Sequence, residues 1–235
     1  MTPDHLTTAD GRTVLRLERP LPHPPEKVFR ALTTPAHLAA WFPSTVDVEL
    51  RVGGAVVFDG GELHGVVTAY DPPRRFAFTW DTDHLDWEVR PAGGGSVLVL
   101  HHAFDDRYGA ASFAAGWSAC LAELAAALGT AGEPGDGVDV VTAHEEYVRA
   151  FDLDAPVVTD GTARVERQLT APAERVRALL EPAEQGWDLV PGTGHGPRLV
   201  ATAPAAEADR LRARVAEIAA ACARAGHASP PAGHG

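Results

Sequence analysis

The sequence predicts an α+β fold, a curved antiparallel sheet around one long helix, with a smaller α+β appendage behind it. Three observations predict this. Phe113, Trp117, Leu121, Leu124 and Leu128 recur at spacings of three and four, which makes one apolar helix face that must be covered. The chain before them is a series of period-two segments separated by Gly- and Pro-rich turns, too close together for crossover helices, so neighbouring strands pair antiparallel. After Leu128 the composition changes, and a second, shorter set of similar segments ends in another amphipathic helix. A single helix held by a curved sheet encloses a hollow, and the hollow is the first place to look for function.

Taken in order, Thr13 to Arg19 alternates and reads as a strand. Pro20, Pro22, Pro24 and Pro25 end it, and Pro24 and Pro25 suit a first helical turn, where a missing N–H costs nothing. Val28, Phe29 and Leu32 give that helix an apolar face. Thr34-Pro35 starts a second short helix, with Leu38, Trp41 and Phe42 turned inward. From Thr45 the period is two. Val46, Val48 and Leu50 turn at Gly53-Gly54 into Ala55 to Asp59, a hairpin. Glu62 to Tyr70, Arg75 to Trp80, Leu85 to Arg90 and Ser96 to Phe104 follow as strands. The turns between them are Asp71-Pro72-Pro73, the acidic loop Asp81 to His84, and Gly93-Gly94-Gly95. The long helix is expected over Ser112 to Leu128, with Ser112 as N-cap and Gly129 as its stop.

Several of these segments resemble one family. They are Leu21 to Trp41 (LPHPPEKVFRALTTPAHLAAW), the Val52-Gly53-Gly54 turn, the corner Tyr70-Asp71-Pro72-Pro73-Arg74-Arg75 with Phe76 to Trp80 after it, and Gly116-Trp117. In that order they are similar to the bacterial branch of the Hsp90-ATPase-activator homologue 1-like (AHSA1-like) family of the START/Bet v 1-like (SRPBCC) superfamily. The resemblance covers about the first 130 residues. It implies a helix-grip fold, in which a curved antiparallel sheet holds a long C-terminal helix and two short helices close one end.

The expected organisation is a flexible arm over residues 1–12, the helix-grip domain over 13–129, a linker with a short helix over 130–160, an α+β half over 161–226, and a disordered tail over 227–235. Gly129 to Gly137 (GTAGEPGDG) has linker composition, and His144 to Phe151 is the short helix. The α+β half echoes the start of the chain. Glu166-Arg167-Gln168-Leu169 through Glu174-Arg175-Val176 matches Glu18-Arg19-Pro20-Leu21 through Glu26-Lys27-Val28, and Trp187 falls near the place of Trp41. With Arg198 to Ala203 as the last strand and Ala205 to Ala225 as a long helix, this half reads as a truncated second copy: strand, helix, strand, helix. A two-stranded sheet is marginal alone. It should pack on the first domain or on another copy of itself, as in a homodimer.

Composition narrows the function. Of 235 residues 45% are apolar, and 32 acidic residues against 20 basic give a net charge of −12. Such a chain is poorly suited to nucleic acid or an anionic membrane surface. The N-terminus MTPDHLTTADGR is polar and lacks the apolar core of a signal peptide, and no apolar stretch is expected to span a membrane. Cys120 and Cys222 fall on helices and read as free thiols in a reducing cytoplasm.

The hollow is expected to be lined by Trp41 and Phe42 from the second short helix, Phe58, Phe78, Trp80 and Trp87 from the strands, and Phe113, Trp117 and Leu121 from the long helix. Any one ring could simply fill the interior. His101 and His102 are adjacent on a strand and face opposite sides, so one of them can look into the hollow. His101 is named for it, as a ligand contact or a proton-transfer group; a hydrogen-bonded structural histidine is the competing explanation. His64 has the same standing on an earlier strand. The Asp81–Asp86 loop fits neither a calcium nor a zinc pattern, so no metal and no cofactor is expected. No Gly-x-Ser-x-Gly turn occurs, and Cys120 sits in an apolar surround that disfavours its thiolate. The first expectation is a cytoplasmic protein binding a small hydrophobic or aromatic molecule. The resemblance implies two others: a polyketide-cyclase or hydrolase-like enzyme using a pocket His or Asp, and an Hsp90-type chaperone-associated interaction protein.

Overall fold

The computed structural model describes residues 4–130, 137–181, 184, 186–194 and 196–226. Two compact units are present: Met1–Asp105 with Trp117–Val138, and Asp106–Gly116 with Asp139–Gly235.

The first unit is built on an antiparallel sheet of eight strands. Its elements are β1 (His5–Ala9), β2 (Arg12–Leu21), α1 (Pro25–Thr33), α2 (Pro35–Leu38), β3 (Val46–Val48), β4 (Ala55–Phe58), β5 (Leu63–Asp71), β6 (Arg75–Trp80), β7 (Asp83–Ala92) and β8 (Gly95–Phe104). A 3₁₀ turn, Arg107–Gly109, then leads into α3 (Ala110–Ala127). The eight strands run β1-β2-β8-β7-β6-β5-β4-β3, every neighbour antiparallel. The first long strand therefore pairs with the last, Thr13 to Phe104 through Leu21 to Ser96. This is the expected curved antiparallel sheet with a long helix. On the inner face Leu15, Leu17, Leu85, Trp87, Leu98 and Leu100 are buried, and Trp117, Leu121, Leu124 and Leu128 supply the helix side of the core.

Several expectations are corrected here. Residues 1–12 are not a free arm as far as they are described. Asp10 and Gly11 take positive φ of 51° and 80°, the geometry of a two-residue hairpin turn, and fold β1 onto β2. The Arg19 guanidinium also donates to both carboxylate oxygens of Asp4, at 2.8 and 3.0 Å. Ser112 is not an N-cap: the 3₁₀ turn aligns the backbone first, and the helix begins two residues earlier. Asp83 and His84 belong to β7 rather than to a loop. The stop at Gly129 is as expected. At φ +80° its N–H bonds to the Ala126 carbonyl, and the Thr130 N–H bonds to that of Ala125. Arg107–Ala127 is also, by length and composition, apolar enough to cross a membrane, which the sequence reading had not expected of any segment. From Trp117 onward this helix buries its apolar stripe in the core of the first unit.

The second unit holds α4 (Val140–Ala150), β9 (Val157–Thr159), β10 (Thr162–Gln168), α5 (Ala173–Leu179), β11 (Asp188–Val190), β12 (Arg198–Pro204) and α6 (Ala208–Gly226). Its sheet has four strands, β11-β12-β10-β9, not two; the short edges β9 and β11 carry too few residues to show a period. The segment expected as linker contributes α4 and β9, and its residues 131–136, like the tail at 227–235, lie outside the described residues. Val165, Leu169, Val176, Leu199, Val215 and Ile218 form the core, with Trp187 packed against it. Three local features recur from earlier in the chain. Asp160-Gly161 repeats the positive-φ turn. Pro172 opens α5 at φ −59°, ψ 150°, as Pro24 opens α1 at φ −65°, ψ 152°. A 3₁₀ turn, Ala205–Glu207, again joins the last strand to the long helix.

Candidate functional site

The concave face of the first unit gathers the aromatic side chains the sequence singled out. Phe42 is at their centre. It follows α2 on a turn, and its ring centroid lies 5.2 Å from that of Trp80, 5.5 Å from Trp41 and 5.7 Å from Trp117. Phe78 and Phe58 stand at 6.3 and 6.5 Å. Trp87 closes the far side, edge-on to Trp41 at 5.6 Å and to Trp117 at 5.4 Å. These are the offset and edge-to-face geometries that aromatic quadrupoles favour. Strand alternation places Phe76, Phe78 and Trp80 on one face of β6, and the turn after α2 delivers Phe42 to them. The turn is held on both sides. The Trp41 indole N–H donates to the Ala31 carbonyl at 3.0 Å, and Asp59 accepts from the Thr45 N–H at 3.0 Å and from the Ser44 hydroxyl.

One polar chain runs through this apolar interior. His102 is 2% exposed. The Trp117 indole N–H donates to His102 Nδ1 at 3.1 Å, and His102 Nε2 meets Asp83 Oδ2 at 2.9 Å. An indole nitrogen only donates, so Nδ1 must be the acceptor and Nε2 must carry the proton toward Asp83. The imidazole is thereby held neutral in one tautomer. Burial, the largest influence, drives its pKa below the ordinary histidine value, and the Asp83 carboxylate only partly opposes this. Arg12 stands 3.7 Å from Asp83 and donates to the Thr82 carbonyl and to Asp105, both at 2.8 Å, so the carboxylate end reaches the surface through an ionic cluster.

Most of the named residues do come together: Trp41, Phe42, Phe58, Phe78, Trp80, Trp87 and Trp117 join one ring cluster, and Leu121 is buried in the same core. Two do not. The inward histidine is His102, not His101. His101 pairs across the sheet with Arg16 and Asp86, on the charged outer face. Phe113 sits on the turns of α3 that belong to the second unit. His64 lies on β5, exposed. Asp83 was missed because it reads as part of an acidic loop. The signal for His102 was Phe104, two residues on and also inward; the run Val97 to Leu100 is apolar on both faces and hides the parity. Among the described residues no group of three His, Cys, Asp or Glu side chains is placed to hold a metal ion.

An eight-stranded antiparallel sheet whose first long strand pairs with its last, gripping a helix over an aromatic interior, is an arrangement found in known folds. Residues 22–129 match the family of Activator of Hsp90 ATPase homolog 1-like proteins. The AHSA1-like resemblance read from the sequence holds for that segment. The AHSA1-like fold recurs in solved structures. CalU16 from Micromonospora echinospora aligns with a TM-score of 0.52 at 20% identity, covering 64% of this chain and 94% of its own. A conserved protein of unknown function from Enterococcus faecalis, EF2215, gives 0.52 at 21%, covering 63% and 89%. At these identities the likeness is one of fold. No curated protein matches the chain.

Proposed function

We propose that this chain is a cytoplasmic START-like protein that binds a small hydrophobic or aromatic molecule between the curved sheet and α3, in the space Phe42 now fills. The observation carrying the reading is Phe42 itself. A ring on a turn, packed against its neighbour Trp41 and against four others from β4, β6 and α3, occupies the position of a guest ring. Displacing it would leave a cage of Trp41, Phe58, Phe78, Trp80 and Trp117. Small-molecule sites are lined mostly by apolar and aromatic side chains, as this cage is. Binding is favoured over catalysis because both nitrogens of His102 are already engaged and its imidazole is held neutral, so it has no free lone pair for a guest. The cyclase-like and chaperone-associated readings rest on fold and family name, without a comparable feature.

Titration of the wild type and Phe42→Ala with indole and naphthalene, followed by native mass spectrometry, tests this. Phe42→Ala should cost about 3–5 kcal/mol of stability and leave a dry apolar void that binds either ring more tightly than the wild type does. A folded Phe42→Ala protein that takes up neither ring defeats the reading.

We also infer that the second unit is a shortened second copy of the first. Support comes from the matching Asp-Gly turns, the proline-opened helices, the outer ion pairs Arg16–Glu18 and Arg164–Glu166, and the antiparallel pairing of β10 with β12 where β2 pairs with β8. Backbone superposition of an experimental structure tests it. Failure of 162–180 to follow 12–32 apart from the shorter strand would dispose of it.

A further inference from the structure

The first unit has a second concavity, on the outside of the grip. A cleft of about 360 Å³ lies between α1, α2 and the last turn of α3. Ala31, Trp41 and Leu128 form its buried floor, and Lys27, Arg30 and His37 stand on its rim. That volume is at the lower end of the range for small-molecule sites, about 300–1,000 Å³.

Its charge does not follow from the rest of the chain. The protein carries a net −12, yet none of the residues lining the cleft is acidic, and its only lysine is one of them. Lys27 has three N–H donors. Two are spent, one on the Leu128 carbonyl at 2.7 Å and one toward His23 Nδ1 at 3.3 Å, which leaves a third. Arg30 is one turn further along the same face of α1, is exposed, and among the described residues is paired with no carboxylate. Two cationic donors beside an apolar floor complement a molecule with one carboxylate and a short hydrocarbon body.

We propose that this cleft binds a small amphiphilic carboxylic acid, its carboxylate held by Arg30 and the remaining Lys27 donor and its apolar part laid along Ala31, Trp41 and Leu128. The site is separate from the aromatic cage, and the proposal does not depend on a guest there. Neutral apolar molecules of the same length would gain the floor but not the charge-assisted hydrogen bonds.

The test is a titration of the full chain with octanoate and with 1-octanol, read by amide chemical shifts in 15N-labelled protein. Octanoate should shift Ala31, His37 and Leu128 saturably and bind about tenfold more tightly than octanol, the factor expected from one charge-assisted contact. Arg30→Ala should remove most of that tenfold advantage and leave octanol binding unchanged. Ala40→Phe, which fills the cleft from an exposed position, should abolish the shifts from both compounds; thermal unfolding reports that it still folds. Equal affinity for the two compounds, or full octanoate affinity in Arg30→Ala, overturns the proposal. So do octanoate shifts that cluster instead around Phe42 and Trp117.

Discussion

The indole of Trp117 and the imidazole of His102 are joined by a hydrogen bond of 3.1 Å inside an otherwise apolar interior, with Asp83 on the other ring nitrogen. The bond ties α3 to β8. An unmade bond at a buried donor costs about 1–3 kcal/mol. His102→Leu removes the acceptor for Trp117 and should lower stability by about 2–4 kcal/mol, cavity and shape effects included. Urea unfolding measures it, and a loss below about 1 kcal/mol would mean that the bond is dispensable. Nitrogen NMR of the wild type should show Nδ1 without a proton and Nε2 with one throughout the native pH range.

The same burial makes stability pH-dependent. The folded-state pKa of His102 lies below the ordinary 6.5. The unfolded chain therefore binds the proton more readily, and stability is full above about pH 6.5 and falls as pH drops from there toward the lowered value. His84 and His101 are lowered by burial as well and add to the same slope. Urea midpoints between pH 7.5 and 5.5 should fall on acidification, and His102→Gln should fall less steeply than the wild type. An identical slope in the variant would assign the effect to the other two.

Lys27 ties α1 to the end of α3. Its ammonium donates to the Leu128 carbonyl, one of the free carbonyls at the helix terminus, where a positive charge also favours the helix dipole. Lys27→Met keeps the apolar stem and loses the charge. A loss of about 1 kcal/mol is expected, with faster amide exchange confined to the last turn of α3. Unchanged exchange there would show that Gly129 and Thr130 terminate the helix unaided.

Much of the fold could be read from the residues because the strands of the first unit bury one face. Val56 and Phe58, or Leu85, Trp87 and Val89, state their own orientation. The strand carrying His101 and His102 does not. Val97 to Leu100 is apolar at both parities, since β8 lies between β2 and β7 under the core, and one step of ambiguity put the wrong histidine inside. The polar chain was harder still: Asp83 reaches His102 through the register of β7 on β8, and Trp117 reaches it from α3. In the second unit, the three-residue strands β9 and β11 are too short for any period and exist through pairing with β10 and β12.

Both thiols should be inert in the native protein. Burial pushes Cys120 up to about 11, and Cys222, buried and near the Glu145 carboxylate, is raised as well. At pH 8 only about one Cys120 in a thousand is thiolate, the form that reacts. Native protein should therefore label slowly with a disulfide reagent, and both cysteines should react at once in denaturant. Rapid native labelling at Cys120 would contradict its surroundings.

Arg167 makes the sharpest stability prediction for the second unit. Its guanidinium is 4% exposed and donates to Asp154 at 2.6 Å and to Glu145 at 2.5 Å, while Arg212 reaches Asp154 from α6 at 2.7 Å. Asp154 thus joins β10 to α6 through two cations. Removing one side of a buried pair strands the other charge, which costs about 3–5 kcal/mol, whereas an apolar replacement of the whole set can be neutral. Arg167→Ala should accordingly destabilise by several kcal/mol. Arg167→Met combined with Glu145→Gln and Asp154→Asn should recover most of the loss, because no unpaired buried charge remains among those three positions. Recovery measured by thermal unfolding separates charge burial from lost packing: if the triple variant is as unstable as Arg167→Ala, the guanidinium matters for the space it fills and not for the ions it joins.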